Sequence, residues 1–415
     1  MSAVRNSSFT AAVSLGAMLA FSTAAFAADI TLENIKVNSP NGKSTAEIKK
    51  VLVTGTNLTK DELGKLFDTA SSKEDRLAIT SKMKADMFSI PEVVVNRNDS
   101  TGRITISGVA ITGIDAGKFA KASVASVTGG GETKKDAGQF SLKSGPMVLS
   151  DGNLTKAMTA MKSGDITDGT WQFGKFSWTG FEIVVPEKSG DTIHKHTFKI
   201  GLVEGETKYD GAVPTTTTGF FKDVTFIPAP DSQAGQGMGA FGYKQVTLGM
   251  TFAGVYDEKS KKYKLSDYTI KGDDTAVVSI AGTFGNIDKT AFTGDKRQRL
   301  GALMGGDVDD VTIKVINNSL LDKALVFFAK MKGADPQAIK QQWAGMAGGM
   351  LPMVLGGDAG ALQSAQAVTD FIKTPKNLTI TASGKAGPVP FSTFAQTTNP
   401  MQMFSKLKVE AVANK

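Results

Sequence analysis

Apolar residues recur at every second position through most of this chain, and helical spacing takes over in a few stretches only. From Asp29 to Thr54 the alternation runs through Ile30, Leu32, Ile35 and Val37 and then Ile48, Val51 and Val53, with Asn41-Gly42 between the two runs. That pattern predicts a β-hairpin. Two helices should follow, because Thr59 with Glu62 and Ser71 with Glu74 have capping-box spacing. Leu77, Ile79, Met83 and Met87 supply an apolar face for the second, and Pro91 is expected to stop it.

Strands then dominate from about Glu92 to Val315. Ile104, Ile106, Gly108 and Ala110 repeat every second residue, and Val124 and Val127 precede Gly129-Gly130-Gly131. A short helix is expected over Leu154 to Lys162. Strict alternation puts Trp171 and Phe173 on one face, Phe176 and Trp178 on the other, and Phe181, Ile183 and Val185 back on the first, with phase switches at Gly174 and Gly180. Glycines at such switches mark bulges that bend a sheet. The stretch Pro228 to Gly242 has neither period and reads as a long loop, a candidate mobile lip. Strands resume through Val246, Leu248 and Met250, a turn at Tyr256-Asp257, Tyr263 to Tyr268, and Val277 to Phe284.

From Ser319 the pattern turns helical. Ser319 should cap a widely buried helix carrying Leu320, Leu321, Ala324, Leu325, Phe327, Phe328 and Met331. Gly333 ends it, Asp335-Pro336 starts a second and Asp358 a third. A last strand over Leu378 to Ala382 and an amphipathic tail around Met401, Phe404 and Leu407 close the chain. The fold class is therefore α+β: a long curved antiparallel β-sheet, an N-terminal helical hairpin, and a C-terminal three-helix group packed on the sheet. A division near residue 165 separates an N-terminal β-rich region, 28–165, from a C-terminal region, 166–415, with its helices after 319.

Residues 1–27 change the setting. Arg5, an apolar run from Ala11 to Phe21 and Ala25-Phe26-Ala27 form the pattern of a secretory signal cut before Ala28. The expectation is a periplasmic or secreted protein. The chain has no cysteine, which excludes disulfides and a lipoprotein thiol. Net charge is +7 without a basic stripe interleaved with aromatics, so nucleic acid is not an expected partner.

Candidate chemistry is sparse. The two histidines, His194 and His196, sit two apart in a strand-like run, where alternation puts both on one face. They are the weak candidates for a metal, with Asp191 or Glu187 as a third ligand, and for the base of a hydrolase. Asp307, Asp309 and Asp310 lack the glycine and terminal glutamate of a calcium loop and read as a turn, as does Asp273-Asp274. No nucleophile elbow or phosphate loop is present in context. Gln341 to Gly357 carries no charge, is interrupted by Pro352 and five glycines, and is too short to span a bilayer. Phe327, Phe328, Met331, Trp343, Met346, Met350 and Met353 are the candidates for a ligand groove between sheet and helices, since methionine-rich surfaces adapt to apolar partners.

The phrase ITISGVAITGIDAGKFAKASVASV from Ile104, then YDEKSKKYKLSDYTI, then NNSLLDKALVFFAKMKGADPQAIKQQ and FIKTPKNLTITASG resemble the layout of uncharacterised exported alphaproteobacterial proteins. They are also similar to the β-rich parts of AsmA-like and YdgA-like envelope proteins, from which this chain departs by its cleavable signal and lack of a retained anchor. The resemblance implies an envelope setting that faces lipid, and no reaction. The expected function is that of a non-enzymatic periplasmic envelope protein without cofactor, binding a lipidic or amphipathic ligand or another envelope component. The alternatives are a structural or protein-interaction module without a small ligand, and a hydrolase.

Overall fold

The computed structural model describes residues 28–39, 42–132, 138–153, 172–396 and 400–415. The expected signal segment, Asn41, the helix over 154–162, Trp171 and the division near 165 lie outside the described residues.

The strands are β1 (Ala28–Asn38), β2 (Ser44–Thr56), β3 (Lys84–Arg97), β4 (Arg103–Asp115), β5 (Lys118–Val124), β6 (Ser126–Glu132), β7 (Gln139–Ser144), β8 (Met147–Asn153) and β9 (Lys175–Ser189). They continue as β10 (Thr192–Asp210), β11 (Val213–Ile227), β12 (Val246–Asp257), β13 (Lys262–Gly272), β14 (Ala276–Gly285), β15 (Asp307–Asn317), β16 (Asn377–Gly384), β17 (Val389–Pro390) and β18 (Leu407–Ala413). Helices are α1 (Lys60–Lys65), α2 (Lys73–Lys82), α3 (Gln233–Ala240), α4 (Thr290–Thr293), α5 (Lys296–Met304), α6 (Leu320–Lys332), α7 (Pro336–Leu355), α8 (Ala359–Lys373), α9 (Phe391–Gln396) and α10 (Pro400–Ser405).

One antiparallel meander joins all the strands. β1 through β4 pair in sequence; β5 and β6 both pair with β4, and β7 and β8 both pair with β9. Each of these couples is one long strand broken in the middle, at Ala125 and at Gly145-Pro146. From β9 to β16 each strand pairs with the next, and β18 closes on β16. Pairing of β8 with β9 carries one sheet from the N-terminal strands into the C-terminal ones.

Local sequence signals hold in part. The Thr59–Glu62 capping box is formed, the Thr59 hydroxyl accepting from the Glu62 N–H and the Glu62 carboxylate accepting from the Thr59 N–H at 2.9 Å. The second helix is capped one residue later than expected, by Ser72, which accepts from the Asp75 N–H at 3.0 Å. That helix also stops before Met87 and Pro91, both of which lie in β3. Pro91 is tolerated there because residues 49–51 of β2 form no ladder opposite 90–92, so its missing N–H costs no hydrogen bond on that side. The stretch expected as one loop from Pro228 contains α3, whose first free N–H groups are served by Ser232. Asp307, Asp309 and Asp310 belong to the start of β15 rather than to a turn, with Lys262 reaching Asp309 at 2.8 Å. Ser319 does not cap α6; its hydroxyl donates to Asp274, and Asn317 Oδ1 accepts from the Leu321 N–H at 2.9 Å instead. Pro352 sits in the last turn of an unbroken α7, and the chain ends in a strand, β18, where only a tail was expected.

The Glu62 carboxyl lies well below its ordinary 4.5, at about 2, held down first by Lys82 and then by the Thr59 N–H. A depressed carboxyl stabilises the fold above its unfolded value and loses that contribution as pH falls through the folded one. Stability anchored by this contact should therefore be complete above about pH 4.5 and vanish toward pH 2. Thermal melting at pH 6 and pH 3 checks it: Glu62→Gln should lower the melting temperature at pH 6 and shrink the difference between the two pH values. An undiminished difference would mean that other carboxylates carry the acid sensitivity.

Candidate functional site: an apolar sheet face

Cross-strand register, which no local pattern specifies, lines up apolar residues across the whole meander. Directly opposed partners run Ile30–Val53–Phe88–Ile111–Ala122–Leu149–Phe176–Gly205 and continue Gly219–Phe252–Tyr268–Ile280–Ile313–Ile380–Ala411. Not one of these positions is charged. At about 4.8 Å per strand the row is roughly 65 Å long. A second row lies two residues away on each strand and hence on the same face. Its partners are Leu32–Val51, Ile90–Val109, and then without a break Val124–Met147–Trp178–Val203–Phe221–Met250–Ile270–Val278–Val315–Leu378–Ala413.

A line of irregularities then shifts the alternation by one residue and keeps further apolar side chains on this face. Gly108 (φ 64) and Gly180 (φ 66) take left-handed backbone, as do Asn34 and Asp223, and the strand breaks at Ala125 and Gly145-Pro146 fall on the same line. Past it, Ile35–Ile48–Val93–Ile106–Val127–Ser144 forms a third row. Trp178 and Phe181, which strict alternation would separate, have ring centroids 4.9 Å apart, and the Trp178 indole N–H donates to Ser144 Oγ at 2.7 Å. The simple repeat through Gly108 and Ala110 is corrected by the same device: Ile104 and Ile106 share the apolar face with Val109 and Ile111.

Both ends of the face are closed. At the N-terminal end, Leu63, Leu66, Phe67 and Ile79 from α1, α2 and the segment after α1 pack onto Leu32, Val51, Val53 and Phe88. At the C-terminal end α8 packs along β18, where Ser364 Oγ donates to the Val409 carbonyl at 3.0 Å, while Lys408, Glu410 and Val412 on the reverse face are exposed. In between, α4, α5 and α9 pack on the sheet at Tyr256, Tyr263 and Phe284, and beyond those residues no helix among the described ones packs extensively on β9, β10 or β12 to β14. Phe176, Trp178, Phe221, Met250, Phe252 and Val278 are half-buried there, and Ile270 is 37% exposed. Among the described residues, seven strands from Phe176 to Ile313 thus present an apolar strip about 30 Å long that is open between its rims.

The two rims of the strip differ. On one, His194 and His196 lie beneath the segment Pro228–Ser232, and each has its own carboxylate. Glu187 Oε2 is 2.7 Å from His196 Nε2, and His196 Nδ1 accepts from the Ala229 N–H at 3.3 Å. Both ring nitrogens of His196 are therefore engaged, which leaves it no free site to act as a base. Asp231 Oδ1 stands 3.1 Å from His194 Nδ1 without hydrogen-bond alignment, and that neighbour holds the Asp231 carboxyl below its ordinary range. Among the described residues no group of three or more His, Cys, Asp or Glu gathers where a metal ion could be held. Ser232, next to Asp231, is occupied as a cap, donating to the Ala229 carbonyl at 2.7 Å.

On the opposite rim the apolar face runs into a cavity of about 310 Å³. Tyr256, Tyr263 and Phe284 rise from β12, β13 and β14, and Ile287, Phe292 and Phe391 close over them. Tyr256 and Phe292 have ring centroids 4.6 Å apart, and Tyr256 donates to the Ile287 carbonyl at 2.8 Å. Sequence reading missed this site, because its walls come from five separated segments.

The residues expected to line a groove lie elsewhere. Phe327 stacks on Phe241 at 4.0 Å, and Phe328 meets Phe327 and Trp343 edge-on at 5.3 and 5.4 Å, so these aromatics fill the space between α6, α7 and the end of α3 themselves. Trp343, Met346, Met350 and Met353 form one helical stripe of α7; α6 covers it at Ile339 and Trp343, and the methionines beyond are exposed, Met353 by 68%. Met331 is 69% exposed. None of the seven lines the rim cavity.

Residues 269–414 match a protein family. Its description is "Uncharacterized protein", and the match runs from within β13 through β18, including the C-terminal helices. No curated protein and no solved structure matches the chain. No helix of the described residues is long and apolar enough to cross a membrane.

Proposed function

We propose that this chain is a non-enzymatic envelope protein that holds a lipidic or amphipathic molecule against the uncovered middle of its apolar sheet face. The observation that carries the reading is the pair of cross-strand rows, both unbroken from β9 to β15, closed by helices at both ends of the face and left open over those seven strands among the described residues. Half-buried Phe, Trp, Met and Ile in contiguous rows bind by area alone, with no need for directional polar partners, which suits hydrocarbon. The export pattern of residues 1–27 and the resemblance to AsmA-like and YdgA-like envelope proteins point to the same setting. Native mass spectrometry of gently purified mature protein tests it. Co-purifying lipid, or saturable binding of a fluorescent acyl probe, is the expected result; neither being found would remove the proposal.

A further inference from the structure

We propose that the rim cavity holds the end of one unbranched hydrocarbon chain to a depth of about ten carbons. The assignment rests on the apolar face being a ligand surface, and it names what the rim of that face selects. Capacity is the first observation. The cavity's 310 Å³ is room for about ten groups of water size, near 30 Å³ each, and a methylene is of that order.

Lining chemistry is the second. No charged side chain faces the cavity, and of its hydroxyls Tyr256 donates to the Ile287 carbonyl and Thr215 to the Lys208 carbonyl at 3.2 Å. Burial also raises the Tyr263 phenol, which keeps that wall neutral. A carboxylate or phosphate head would lose its water here without replacement, so the head must stay outside and the tail must enter.

Position is the third. Thr217 and Gly254 line the cavity and sit two residues from Gly219 and Phe252 on the same strands, so cavity floor and open face form one strip. Tyr263 is laid across Gly254, its hydroxyl 2.1 Å from where a Cβ would stand, and the ring walls the cavity there. Chain depth is then set by Leu303 and Phe391 at the helical side.

Isothermal titration of the mature protein with saturated fatty acids of six to eighteen carbons tests the assignment. Affinity should rise about fourfold per added methylene up to roughly ten carbons, then flatten, because a chain lying on the open face is buried on one side only. Leu303→Trp, at a lining position that is 43% exposed, should move the break two to three carbons shorter. Thr217→Leu should do the same from the strand side. A series without a break, or a break unmoved by both substitutions, overturns the proposal. Its failure is separable from that of the broader reading: diacyl lipid retained on the face with no binding of short acids sinks the cavity alone. Absence of both kinds of binding sinks the two together.

Discussion

Ile270→Glu should abolish capture of amphipathic ligands while leaving the protein folded. Ile270 stands in the second apolar row between Met250 and Val278, in the middle of the uncovered strip, and is 37% exposed. A carboxylate there stays hydrated in the free protein, so stability should change little. Under a bound hydrocarbon the same carboxylate must be stripped of water with no partner, which costs about 3 kcal/mol or more, over a hundredfold in affinity. Lys271→Gln, one residue on and facing the reverse side of the sheet, changes net charge by the same one unit away from the strip and should leave binding within twofold. Equal losses from the two substitutions would show that net charge and not the apolar face governs binding. No loss from Ile270→Glu would remove the strip from the site.

The second large effect concerns the helical plug. Leu63 is fully buried, 0% exposed, in the cluster that joins α1 and α2 to the apolar faces of β1, β2 and β3. Leu63→Ala should cost about 3 kcal/mol, from lost transfer energy plus the cavity left behind, within the 2–5 kcal/mol range for such sites. Urea denaturation measures it, with Leu63→Met as the volume-conserving control at under about 1.5 kcal/mol. A loss under 1 kcal/mol for alanine would mean that the hairpin helices ride on the sheet without closing it. The middle of the sheet has no equivalent cluster. Apart from Val203, which is buried, the large side chains of its two rows are half-buried or exposed, so a single truncation among these should register in binding before stability.

Much of this architecture is written locally. Alternation in Ile30 to Val37 and in Ile48 to Val53 specified the first hairpin, because side chains on a strand have a period of two and one face must leave water. Thr59 with Glu62, Gly333, Asp335-Pro336 and Asp358 marked helix ends through hydrogen bonds made within three or four residues. Where two side chains compete for a cap, as the Ser319 hydroxyl and the Asn317 amide do, the choice depends on which group a distant segment engages. Asp274, 45 residues away, takes the Ser319 hydroxyl and leaves the cap to Asn317.

The candidate site was legible only in fragments. Aromatic strands with glycine phase switches signalled a bent sheet, yet parity alone put Trp178 and Phe181 on opposite faces, and one left-handed residue, Gly180, reverses that outcome. The methionines of α7 drew attention because their stripe is continuous in sequence, whereas cover over a stripe is set by how far α6 reaches along it.

By itself, the sequence determined the period of each segment, most element ends, the absence of disulfides and the export pattern, all of which are local or compositional. Tertiary structure decided which residue of each strand stands opposite which residue of the next, and hence that fifteen strands share one apolar row. It also decided where helices close that face and where a cavity opens at its rim. Register and cover join residues tens to hundreds of positions apart, and no window along the chain contains both partners.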